Sequence, residues 1–286
     1  MGDFLHWWQH LPEHMDPVIF SIGSFRLQYY GLMYIVAFAI AYGLACYRIR
    51  REGGFDMDVE RLQGLMTAII LGLILGGRLG YVLFYNLAYY LSHPLEIVLP
   101  FDFSNGIRFT GITGMSYHGG LIGGIIGGGV FVYKNHLDFF RTADLIFPCI
   151  PLGYTFGRLG NFINGELYGR VTTHPIGMFF PLAPGPGRRH PSQLYEAFFE
   201  GIALFIFLWA VKGRIKTRGA MLALYLMGYG LVRFFIEFAR QPDAQLGFVF
   251  LSFSMGQLLC LAMMLAGAGL LLYLKTRPAP GAAGRP

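Results

Sequence analysis

Charge is scarce in this chain. Asp, Glu, Lys and Arg make up 13% of its 286 residues, where a soluble domain carries about a quarter. That shortage excludes an ordinary water-soluble globule. The formal net charge is +6, yet no basic run with interleaved polar surface is present, so nucleic acid is not an expected partner. Cysteine is nearly absent. Cys46, Cys149 and Cys260 stand far apart in apolar runs, without metal-ligand or redox spacing, and read as small core residues. His118, His190, Glu166 and Glu196 show no His–x–His or Glu–x–x–His spacing, so no metal is expected. The glycine run 119–129 lacks the Gly-Lys-Ser/Thr ending of a phosphate loop, so no nucleotide cofactor is expected either. The N-terminus lacks the basic start and short apolar core of a signal peptide. Its Phe4, Leu5, Trp7, Trp8 and Leu11 mix with polar residues, the pattern of a segment lying at a membrane interface.

What is abundant is apolar. Hydrophobic residues reach 55% and glycine numbers 40. A transmembrane helix needs about 20 mainly apolar residues. The expected fold is therefore an all-α polytopic membrane protein with about seven transmembrane helices. The spans are placed near 29–47, 64–85, 117–133, 143–160, 192–211, 220–238 and 251–274. Pro148 and Pro151 are expected to bend the fourth. Residues 1–28 form an interfacial segment in which Val18 to Leu27 suggests a small hairpin. Residues 29–274 form the seven-helix transmembrane domain, and 275–286 a disordered tail rich in Pro, Gly and Ala. Two larger segments, about 86–116 and 161–191, are too polar to span and read as an arm and a loop on one face.

Lys and Arg set the orientation. With the N-terminus outside, 13 of the 22 fall in inner segments, six in outer segments and three within spans. That bias puts the C-terminus in the cytoplasm and both larger segments on the outer face. The unusual polar residues then gather near one leaflet. Tyr30 opens the first span and His118 the third, while Arg78 lies in the outer half of the second. Arg158, Asn161, Asn164 and Glu166 lie at the outer end of the fourth, and His190, Gln193 and Glu196 around the start of the fifth. Tyr229, Arg233 and Glu237 are spaced i, i+4, i+8 towards the outer end of the sixth, and Arg240 follows one turn later. Ionisable groups at one membrane depth, drawn from several spans, suggest a single site. The Arg233–Glu237 pair fits either a tie between helices or an arginine presented to an anion. His118 fits either a hydrogen-bonded structural residue or a proton acceptor. His190, placed before Pro191 in a loop, fits a positional role equally well.

One stretch concentrates this chemistry. Gly157 to Arg170 carries Arg158, Asn161, Asn164, Glu166 and Arg170 among four glycines. A planar cationic fork beside amide donors suits a phosphate group, and glycines let backbone approach a ligand. The run Gly157 to Gly169 resembles the signature G-R-x-G-N-F-x-N-x-E-x-x-G of bacterial prolipoprotein diacylglyceryl transferases. Further blocks resemble the same family in the same order: Tyr30–Tyr34, Gly76–Tyr81, Met115–Gly123, Arg189–Glu196 and Arg233–Gln245.

The resemblance implies an enzyme of the bacterial cytoplasmic membrane with its active site towards the outer leaflet. Its donor would be phosphatidylglycerol, and its acceptor the lipobox cysteine thiol in the signal peptide of a prolipoprotein. The products would be a thioether-linked diacylglyceryl group and glycerol phosphate. On this reading Arg158 and Arg233 take the phosphate and His118 is the base for the thiol. Asn161 and Gly169 shape the headgroup pocket, and Tyr30, Glu166, Tyr229 and Glu237 orient cations and substrate. Arg78, Asn164 and His190 complete the substrate-binding set. The 94–115 arm is longer, and the 171–189 loop shorter, than the family pattern suggests, which bears on substrate access. The competing class is a non-enzymatic transporter or anionic-lipid-binding protein. No pair of matching broken helices from an inverted repeat supports a transporter.

Overall fold

The computed structural model describes residues 2–23, 25–99, 101–102, 108–109, 114–241, 248–250 and 253–276. The expected disordered tail lies, beyond Thr276, outside the described residues, as does much of the 86–116 arm. The helices are α1 (Gly2–His10), α2 (Tyr29–Arg51), α3 (Val59–Tyr85), α4 (Leu87–Ser92), α5 (Tyr117–Lys134), α6 (Phe139–Ile146), α7 (Ile150–Ile163), α8 (Ser192–Glu196), α9 (Leu204–Val211), α10 (Ala220–Ile236) and α11 (Met255–Thr276). A π-helical turn, Ala197–Ala203, joins α8 to α9 in one continuous rod. Among the described residues the strands form three short antiparallel pairs, one of them the hairpin of Val18–Ile22 with Phe25–Gln28.

Among the described residues four helical segments are long and apolar enough to cross a membrane, Tyr29–Arg51, Val59–Tyr85, Ser192–Val211 and Met255–Thr276, and Ala220–Ile236 is a shorter apolar helix. Large apolar side chains such as Leu75, Leu83, Ile125, Phe235 and Leu265 point outward. Water would penalise that surface, whereas hydrocarbon does not. The chain is a polytopic membrane protein. The expected third span, α5, is spanning in length but so rich in glycine that its apolar character is diluted. The expected fourth is broken into α6, a 3₁₀ turn at Phe147–Cys149 and α7. Pro148 sits in that turn and removes a backbone donor.

The chain divides into two compact units. In the unit Glu52–Thr142, α3 and α5 pack antiparallel along a seam of glycine. Ala68, Gly72, Gly76 and Gly80 on α3 face Gly127, Gly123 and Gly119 on α5. A Cβ on Gly80 would lie 2.8 Å from the Cα of Gly119, and one on Gly123 would lie 2.8 Å from the Cα of Gly76. Backbones this close gain dispersion contacts that bulkier residues would forbid. Gly123→Leu should therefore abolish accumulation of monodisperse, folded protein. Gly129→Leu, on a face where a Cβ meets nothing within 4 Å, should leave elution and thermal midpoint nearly unchanged. Equal behaviour of the two variants in size-exclusion and thermal denaturation would contradict the seam.

The unit Met1–Arg51 with Ala143–Pro286 holds the remaining long helices. Here α2 packs on α7, and α10 on α11. Buried Arg48 donates to the carbonyls of Asp144 and Leu145 at 2.6 Å each. The Asp144 carboxylate accepts from the backbone N–H of Gly219 (2.7 Å) and Met221 (2.9 Å), and so caps α10. At the other end, the 161–191 loop folds over a small core of Phe162, Met178 and Phe180 against Trp8, Leu11 and Met15. The α1 helix is fastened to that loop. Trp8 Nε1 donates to Ile176 O and Gln9 Nε2 to Pro175 O, both at 3.0 Å, and Phe179 N donates to Gln9 O at 2.8 Å. Phe4 and Trp7 remain exposed.

Candidate active site

The site is built around one carboxylate. Glu196 ends α8 and has no solvent exposure. Three arginines converge on it from two directions. Arg158 of α7 brings Nε to 2.8 Å from Oε2, and Arg233 of α10 brings Nη1 to 3.2 Å from the same oxygen. Arg240, one turn beyond α10, places Nη1 3.1 Å from Oε1. Charges buried like this cost several kcal/mol each unless paired, and the pairing here is arranged in layers. Glu200, four residues on in the π turn, reaches Arg233 Nη1 at 3.5 Å. Tyr154 Oη donates to Glu200 and accepts from Arg158 Nε at 2.6 Å. Glu237 pairs with Arg233 Nη2 at 3.3 Å and accepts from Ser254 Oγ at 3.1 Å.

Thr155 Oγ1 packs at the start of the π turn, within donating distance of Ala197 O (3.3 Å) and of Pro151 O in its own helix (3.4 Å). Thr155 and Gly201 are in such close approach that a Cβ on Gly201 has no room. Wide turns of this kind recur at functional sites.

The signature stretch continues the network. Arg158 Nη1 donates to Asn161 Oδ1 at 3.3 Å, and Asn161 Nδ2 to Glu166 Oε1 at 2.8 Å. The other amino group of Arg158, Nη2, makes no hydrogen bond to the described residues. The Gln193 side chain donates to the Glu166 carbonyl at 2.5 Å. Buried Asn164 Oδ1 and Gln193 Oε1 likewise lack a hydrogen-bond partner among the described residues. Unmet polar groups in a buried place call for a ligand or water.

The structure thus brings Arg158, Asn161, Glu166, Arg233 and Glu237 into one connected group. Tyr229 joins through its ring, 6.0 Å from that of Tyr154 and perpendicular to it. Tyr30 lies on α2, packed against α7, with its hydroxyl 3.0 Å from that of Tyr34. Gly169 sits under the group. Its N–H donates to His190 O at 2.8 Å, and a Cβ there would run into Ala239 O and lie 2.8 Å from His190 Cβ. Glycine is needed at 169 for close passage of backbone, whereas Gly165 is needed for its left-handed turn, φ +66°. His190 Nδ1 is 3.1 Å from Tyr195 Oη. Burial, and then the charge of His174, hold its imidazole below the ordinary histidine pKa, so it is neutral near pH 7.

Arg78 and His118 belong to the other unit. Arg78 donates to the carbonyls of Glu96, Ile97 (2.8 Å) and Gly114 (3.3 Å) and lies over the Tyr90 ring, so it binds the arm to α3. His118 is exposed at the start of α5, edge-on to Tyr117, without a hydrogen-bond partner among the described residues.

Glu200 and Tyr154 were not anticipated, and Glu196 and Arg240 were noticed without a role. A signal was present. Glu196 and Glu200 are spaced i, i+4 inside an otherwise apolar span, and carboxylates there demand partners.

A family model for prolipoprotein diacylglyceryl transferase matches residues 17–273. A phosphatidylglycerol–prolipoprotein diacylglyceryl transferase of Chlorobaculum tepidum is 56% identical over 281 residues, covering 97% of this chain and 96% of that protein. The chain belongs to the prolipoprotein diacylglyceryl transferase family. Transferases of the same description from Bordetella parapertussis and Treponema denticola are 48% and 43% identical, covering 92% and 93% of this chain and 97% and 95% of theirs. The matched region includes every residue of the arginine–glutamate group.

Proposed function

We infer that the chain transfers the diacylglyceryl group of phosphatidylglycerol to the cysteine thiol of a prolipoprotein signal peptide. The product is a thioether, and glycerol phosphate leaves. The observation that carries this reading is the meeting of Arg158 and Arg233 at one buried oxygen of Glu196, in a chain 56% identical to a transferase so named. Guanidinium groups held in a dry place stabilise charge that develops on a departing phosphate.

In this mechanism Arg158 presents its Nη2 to the phosphate and Arg233 flanks it. Asn161, Asn164, Glu166 and Gly169 shape the headgroup pocket. Glu237 holds Arg233 in register, while Tyr30 and Tyr229 line the approach. His118 takes the thiol proton, since a thiolate is the attacking species. The exposed, unbonded imidazole supports that role. Arg78 supports the arm, and His190 fixes the backbone above Gly169. Purified protein given phosphatidylglycerol vesicles should lipidate a lipobox peptide and leave its Cys→Ser version untouched. Tight lipid binding with no lipidation would favour the lipid-binding alternative.

Seven spans, with the N-terminus outside and the C-terminus in the cytoplasm, accommodate the charge distribution. In that arrangement α5 and the broken α6–α7 segment cross with the five apolar helices, and α1 lies in the outer interface with Phe4 and Trp7 towards lipid. Single cysteines at 108 and 188 should then react with an impermeant thiol reagent in intact cells, and those at 50 and 214 should not. The opposite pattern would reverse the orientation and move the site to the other leaflet.

A further inference from the structure

We propose that Glu196 sets the charge of the phosphate site, and that this lets the phosphate product leave. The inference rests on the assignment of Arg158 and Arg233 to the phosphate. Three guanidinium groups, Arg158, Arg233 and Arg240, are answered by three carboxylates, Glu196, Glu200 and Glu237. The ion-paired members balance in formal charge before lipid arrives, and Glu166, held to Arg158 through Asn161, adds a further carboxylate. Glu196 is central to that balance, because among the described residues it alone touches all three arginines. Its Oε2 receives two ion pairs yet has no well-aligned hydrogen bond. It therefore holds both phosphate-binding arginines chiefly by charge.

The reaction changes the ligand's charge. Phosphatidylglycerol is a phosphodiester with one negative charge. The thiolate sulfur bonds to the terminal carbon of the diacylglyceryl group, and the bond from that carbon to the phosphate oxygen breaks. The electron pair stays on the oxygen, and the thiol proton has gone to a base. The product is a phosphate monoester, which carries close to two charges at neutral pH. A site with an uncompensated extra positive charge would hold this product more firmly than the donor. Glu196 removes that excess while keeping the two arginines in place. It is a positioning residue that also governs product release.

The test uses purified full-length enzyme, phosphatidylglycerol and a lipobox peptide, with free glycerol phosphate as inhibitor. Glu196→Gln should tighten inhibition by glycerol phosphate about tenfold to a hundredfold. It should lower kcat and should not raise KM for phosphatidylglycerol. Arg240→Gln, which shifts the balance the other way, should weaken inhibition. A merely structural role predicts weaker inhibition and a raised KM in both variants. Glu200→Gln removes a charge from the same group and should act in the same direction as Glu196→Gln. It carries the test if the latter fails to fold. Unchanged or weaker inhibition in the folded Glu-to-Gln variant, with wild type inhibited normally, overturns this inference alone. Insensitivity to glycerol phosphate in wild type and in both folded Glu-to-Gln variants overturns the phosphate assignment, and this inference with it.

Discussion

Arg158→Lys and Arg233→Lys should each lower diacylglyceryl transfer at least about 100-fold, although both keep the charge. Loss of one group that stabilises developing charge typically costs about 10²–10³ in rate. The geometry says why lysine cannot substitute. Arg158 uses Nε for Tyr154 and Glu196 and Nη1 for Asn161, and Nη2 remains for a ligand. Arg233 spans Glu196, Glu200 and Glu237 with its two terminal nitrogens. A single ammonium reaches one of these directions at a time and is more strongly hydrated. The buried carboxylates would then be left poorly paired, so each variant should also lose thermal stability. Initial rates at saturating phosphatidylglycerol, with folded fraction from size-exclusion, separate the two effects. Lysine variants within tenfold of wild type would remove both arginines from the chemistry.

The second large effect concerns His118. His118→Gln keeps the size and a hydrogen-bonding group but cannot carry a proton. A positioned base contributes about 10²–10⁴-fold, so the rate should fall by that order while phosphatidylglycerol binding persists. Raising the pH supplies acceptor thiolate from solution. The His118→Gln rate should therefore recover as pH rises towards the thiol pKa, and the two lysine variants should not recover. Equal rescue of all three, or none for a folded His118→Gln, would return His118 to a structural role at the start of α5. His190 would then be the next residue to replace.

Much of this was legible in the sequence. The scarcity of charge gave the membrane class, because hydrocarbon leaves little place for ions. The few ions that remained, Arg158, Arg233 and Glu237, then stood out against apolar runs. Their true partner was harder to read. Glu196 looks like a residue at a span's start, and nothing local says that two other helices will aim arginines at it. Long-range pairing is a property of packing and leaves no period in the sequence. Glu200 is the same case: its i, i+4 spacing from Glu196 brings both carboxylates to Arg233 Nη1, but the arginine comes from another helix. The glycines misled in part. In the signature they suggest backbone open to a ligand, yet Gly160 packs on Met33 and Tyr30, and Gly169 passes between Ala239 and His190. The glycine run of α5, which lacks a phosphate-loop ending, packs on α3 instead. Span counting was limited where glycine and proline interrupt apolar runs, at α5 and at Pro148.

The proposed reaction moves the diacylglyceryl group to sulfur while phosphate departs with glycerol. Phosphatidylglycerol labelled with ¹⁴C in the glyceryl carbons of its diacylglyceryl group and ³²P in its phosphate, incubated with purified protein and a lipobox peptide, reads both halves of it. Transfer to sulfur should leave ¹⁴C on the peptide after treatment with neutral hydroxylamine and an equal amount of ³²P in free glycerol phosphate. Label of ³²P on the peptide, or ¹⁴C released by neutral hydroxylamine as from a thioester, is incompatible with that reaction.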